Sequence, residues 1–106
     1  MLTPTGPVPG ISVAQKRVRA TDKEPTLIHG YHRHVAVLCL DDGRRIPAPI
    51  AIRSIRRGIE AYSMDVDGVT TAVEVIDRCP RCGREFLRTA RGATSENRLL
   101  YLPDCR

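Results

Sequence analysis

Aromatic residues are scarce in this chain of 106 residues: no Trp, Phe86 alone of its kind, and Tyr31, Tyr62 and Tyr101. Large rings fill cores efficiently, so a small domain this poor in them gains from a further staple such as a metal. Lysine is nearly as rare, with only Lys16 and Lys23, so the formal net charge of +5 is carried by arginine. No apolar run approaches the ~18 residues that a membrane-spanning helix requires. The start of the chain lacks the basic opening and apolar stretch of a signal peptide. The expectation is a cytoplasmic protein with no membrane partner, and its length suits one domain.

What is present starts with Cys79-Pro80-Arg81-Cys82-Gly83. Two thiols separated by two residues, with Gly next, form a knuckle that can grip one metal ion. In a reducing compartment such a pair serves more often as a metal or redox site than as a structural disulfide. Zn2+ takes four tetrahedral nitrogen or sulfur ligands, so the knuckle supplies half a site. Cys105 is the expected third ligand: if 98–102 pairs antiparallel with 85–89, the chain returns to the knuckle end. The fourth position is open among Cys39, His32 and His34. Cys39 is equally at home as a small core residue, and the His pair as a solvated strand edge. A redox or free dithiol remains the alternative use of the motif.

The rest of the chain reads as α+β: a small antiparallel sheet with one main helix and a zinc-knuckle hairpin. Residues 1–12, rich in Pro and Gly, read as a disordered arm, and 13–106 as one domain. Lys16 to Ala20 alternates in the manner of a half-exposed strand. Thr21 to Tyr31 reads as a loop. His34 to Leu40 is the most apolar run and is stopped by Asp41-Asp42-Gly43, so it reads as a buried strand. Pro49 to Arg57 reads as a helix with Ile52, Ile55 and Ile59 on its inner face and Gly58 as its cap. Asp67-Gly68 predicts a hairpin turn between Glu60–Val66 and Val69–Asp77. Glu85 to Thr89 returns as a strand with Phe86 inward, and Arg98 to Leu102 closes the sheet.

Several stretches together are similar to a known family. They are His32-Arg33-His34-Val35, the aliphatic helix ending at Gly58 and followed by Tyr62, Phe86-Leu87-Arg88-Thr89, and Leu99-Leu100-Tyr101-Leu102-Pro103. Over about residues 16–105 the chain resembles the bacterial domain of unknown function family number thirty-eight ninety-two. The resemblance implies a compact single domain and carries no activity with it. The knuckle lies outside the family signature, and Arg91-Gly92 and Asn97-Arg98 stand where the family has acidic residues.

From residue 78 onward seven arginines face three acids, a balance that attracts phosphates or acidic partners. Arg81, Arg84 and Arg88 follow the knuckle, and Arg53, Arg56 and Arg57 cover the helix. The leading expectation is a zinc-stabilised module that binds RNA, DNA or a ribonucleoprotein through these six. One rival is an adaptor for an acidic protein, of phage or mobile-element kind. Another is a metal-dependent enzyme using His32 and His34, although no catalytic residue stands out. The bland reading of the arginines is a solvated surface paired with Glu60, Glu74, Asp77 and Glu85.

Overall fold

The computed structural model describes residues 13–24, 34–90 and 97–105. The Pro- and Gly-rich arm and His32 lie outside them. In chain order the elements are β1 (Ala14–Lys23), β2 (Val35–Leu40), β3 (Arg45–Pro47), α1 (Ala48–Arg56), β4 (Glu60–Val66), β5 (Val69–Ile76) and β6 (Phe86–Thr89). A 3-10 turn, Arg98–Tyr101, follows. The strands form one six-stranded sheet in the order β3-β2-β1-β4-β5-β6.

The class is α+β, as expected, but the sheet is neither small nor purely antiparallel. The long β1 divides its edges between two partners. Ala14–Arg17 run parallel with Glu60–Ser63 of β4, while Val18–Lys23 run antiparallel to β2. Irregularities at Val18/Ala20 and Asp22/Lys23 accompany the change, and bulges of this sort bend a strand. The bend curls the sheet about α1, which touches both β2–β3 on one side and β4–β6 on the other. It also brings the start of β2 against the start of β6, where His34 stacks on Phe86 at 4.5 Å between ring centroids.

Local chemistry explains most of the elements. Pro49 sits in the first turn of α1, where its missing N–H costs nothing. Gly58 takes the left-handed conformation just beyond the helix (φ 69°). Asp67 and Gly68 both have positive φ, 51° and 84°, which suits the twist of a two-residue hairpin. Leu38, Leu40, Tyr62, Leu87 and Leu99 are the large fully buried side chains of the core. The aliphatic stripe on α1 is shorter than expected. Ile52 is buried and Ile55 packs against the core. Ile59 is 57% exposed, because the chain has left the helix by then and turned into β4.

Thr21 to Lys23, read as loop, continue β1. Their polar groups are satisfied by the end of the chain. Thr21 Oγ1 donates to the Leu99 carbonyl at 2.8 Å, and Thr21 N–H to that of Pro103 at 3.0 Å. Arg98 to Leu102 does not form a strand along β6. Asn97 Oδ1 accepts from Leu99 N–H (3.2 Å) and Thr89 N–H (3.3 Å), winding the chain into the 3-10 turn. From there the terminus crosses to β1 rather than returning to the knuckle.

Candidate metal centre

The hairpin between β5 and β6 holds Cys79 and Cys82. Cys79 N–H donates to the Arg84 carbonyl at 2.7 Å, and Gly83 N–H to the Cys79 carbonyl at 2.8 Å. Gly83 closes this turn at φ 77°, a conformation that costs glycine little. Arg81 N–H points at Cys79 Sγ, 3.4 Å away. Cys79 is buried and Cys82 half-buried, and neither is in a disulfide.

The third member of the site is His34, immediately before β2. Its Nε2 lies 3.4 Å from Cys82 Sγ, and its ring is held by the stack on Phe86. The donor atoms of His34, Cys79 and Cys82 all lie within 4.8 Å of one another. Two soft sulfurs and an imidazole nitrogen at this separation can hold a metal ion.

A charged pair anchors the hairpin to the sheet. Arg84 grips Glu24, just past β1, with both terminal nitrogens, at 2.6 and 3.1 Å. The guanidinium holds the Glu24 carboxyl below its ordinary value, against the opposing effect of burial. Arg84 in turn is raised, first by Glu24 and then by a hydrogen bond to Cys82. Beside this corner a cleft of about 530 Å3 opens between the start of β2, the first turn of α1 and the start of β6, with His34, Arg84 and Phe86 in its wall.

The four expected cysteine ligands fall into two pairs. Cys39 and Cys105 form a disulfide, with their Cα atoms 5.9 Å apart. Bonded sulfurs are not thiolates, so neither is the third or fourth ligand here. The cause is the terminus: Cys105 follows Pro103 to β1, where its N–H donates to Asp22 Oδ1 at 3.0 Å. That places it beside Cys39 of the neighbouring β2. His34, held open as an alternative ligand, joins the knuckle instead. Its role rests on the curl of the sheet, which no spacing in the sequence signals. The contributions of Phe86 and Glu24 to the site were likewise not foreseen.

The six arginines also divide. Arg56 pairs with Asp77 at 2.7 Å and with Glu85, and Arg84 is taken by Glu24. Arg88, expected to face a ligand, is 8% exposed within β6, and its Nε donates to the Thr89 carbonyl. Arg53, Arg57 and Arg81 are exposed, with no ion pair to a described residue. No helix among the described residues is long and apolar enough to cross a membrane. No family model matches the chain, and searches of curated proteins and of solved structures returned no match.

Proposed function

We propose that the chain is a zinc-stapled module that contacts the phosphate backbone of RNA or DNA. The observation that carries the zinc reading is the convergence of His34 with Cys79 and Cys82. In a tetrahedral zinc site, Zn–S bonds of about 2.3 Å and Zn–N bonds of about 2.0–2.1 Å put a sulfur and a nitrogen ligand roughly 3.6 Å apart. The 3.4 Å between His34 Nε2 and Cys82 Sγ is close to that edge. Thiolate and imidazole together suit zinc better than calcium or magnesium, which take oxygen ligands. A fourth donor, water included, completes the shell.

Zinc in this place acts as a staple. It joins the β5–β6 hairpin to the start of β2, two segments that the sheet order separates by β1 and β4. The phosphate contact falls to arginines with no ion pair to a described acid. Arg53 and Arg57 lie one turn apart along α1, the latter at its cap, and Arg81 is at the hairpin tip. Guanidinium groups suit phosphate oxygens.

The test is binding of the full chain to mixed RNA and DNA across a salt series. Two to three phosphate contacts predict a loss of about 10- to 40-fold in affinity between 50 and 200 mM salt. Arg53→Ala with Arg57→Ala flattens that dependence. No binding to either nucleic acid at low salt overturns the phosphate reading and leaves the zinc reading to its own measurement.

A further inference from the structure

We infer that the His34, Cys79 and Cys82 site is oxidation-sensitive: an oxidant of the peroxide class meets Cys82, Cys79 closes a disulfide onto it, and the metal is released. This rests on the zinc reading above and adds its regulation.

The two sulfurs are unequal. Cys79 is 4% exposed, while Cys82 is half-buried and is the one an incoming oxidant reaches. Cys82 also has Arg84 and His34 against its sulfur. Access to solvent decides which of two neighbouring cysteines an oxidant meets first. Arg84 and His34 line the adjacent cleft, so this corner of the molecule is open to small solutes. Cys79 is the built-in resolving partner. It lies in the same turn, with its donor atom within 4.8 Å of that of Cys82. The turn is closed by two main-chain N–H to carbonyl bonds, so at Cys79 only the Arg81 N–H contact on Sγ has to give way as the two sulfurs come together.

The chemistry balances. The Cys82 sulfur attacks one oxygen of hydrogen peroxide, the O–O bond breaks, and hydroxide leaves to be protonated to water. Cys82 is now a sulfenic acid. The Cys79 thiolate attacks that sulfur, forming the S–S bond and expelling a second hydroxide, also protonated to water. Two electrons pass from the sulfurs to peroxide, and a zinc ion held by His34, Cys79 and Cys82 would lose both of its thiolate ligands without changing its own charge. Cys39 and Cys105 are already joined and take no part. They hold the terminus on β2 while the other site opens.

The experiment uses the full chain loaded with zinc and treated with near-stoichiometric hydrogen peroxide. Freed zinc is read with a chromogenic chelator, and the cysteines by alkylation and peptide mass. The expected result is one zinc freed per two thiols lost, with a Cys79–Cys82 peptide lighter by two hydrogens, reversed by a dithiol reductant and fresh zinc. A Cys39→Ser, Cys105→Ser double variant releases zinc in the same way. Cys79→Ser yields oxyacids of Cys82 and no bridge. Zinc-loaded protein that keeps its metal, or loses it without a Cys79–Cys82 bridge, overturns the inference and leaves the zinc reading standing. A chain that takes up no zinc at the outset overturns both.

Discussion

Near the end of β2, Cys39 is bonded covalently to Cys105; just before its start, His34 meets Cys79 and Cys82 with no covalent bond among them. The same strand is therefore fastened at two ends by opposite sulfur chemistries. Each fastening has its own acid from the end of β1. Asp22 pairs with Arg45 at 2.7 Å and accepts the Cys105 N–H. Glu24, two residues on, pairs with Arg84 beside Cys82. The disulfide end secures the terminus against oxidant but not against reductant. The thiol end does the reverse. Disulfides persist in oxidising surroundings and free thiol pairs in reducing ones, so the Cys39–Cys105 bond and the Cys79–Cys82 pair favour opposite redox conditions.

The comparison is broken most forcefully at the metal end. Structural zinc sites in small domains contribute about 10–16 kcal/mol in peptides that fold only with metal. This chain has its own core, so the proposed staple would add to a folded state rather than create it. Chelator is expected to lower the melting temperature of zinc-loaded protein by about 10 °C or more. Unchanged melting on stripping removes the staple from the account.

Next in size is the disulfide. It closes a loop with a sequence separation of 66, and the chain-entropy estimate for such a loop is about 4 kcal/mol. Cys105→Ser is expected to lower stability toward denaturant by up to that amount while zinc uptake persists. Equal stability of the two proteins under oxidising conditions contradicts it.

A smaller effect separates the two acids. Glu24→Gln removes the anchor of Arg84 and is expected to cost about 1 kcal/mol, together with faster zinc loss to a competing chelator. Asp22→Asn lowers stability without changing that rate. Identical zinc off-rates in all three proteins show that the ion pair does not serve the metal end.

The smallest effect is on pH. Asp22 and Glu24 are both held below their ordinary values of 3.8 and 4.5, chiefly by hydrogen bonds from Arg45 and Arg84. A carboxyl lowered on folding stabilises above its ordinary value, and that contribution is lost as pH falls through the lower folded value. The metal-free protein is expected to melt at a constant temperature from neutrality to about pH 5 and progressively lower below that. A melting temperature that rises on acidification reverses the sign and contradicts the pairing.

Much of this was legible in the residues. Asp67-Gly68 fixed its hairpin because both positions adopt positive φ, and Pro49 and Gly58 bounded a helix to within a residue or two. The knuckle motif located the two thiols. The missing parts depend on tertiary partners. Thr21-Asp22-Lys23 looks like loop until Leu99, Pro103 and Arg45 are found satisfying it. β3 has three residues, of which only Ile46 turns partly inward, so it carries no pattern. The parallel β1–β4 pairing and the bend in β1 decide that His34 reaches the knuckle and Cys105 does not, and neither has a local signature.

The central claim, that one strand is fastened by a metal before its start and a disulfide near its end, is tested most directly by metal stoichiometry across three proteins. Elemental analysis of zinc-reconstituted chain is expected to find one zinc per chain in the wild type and in the Cys39→Ser, Cys105→Ser double variant, and close to none in Cys82→Ser. Loss of zinc from the double variant, or its retention in Cys82→Ser, would contradict the division of the four cysteines into two separate fastenings.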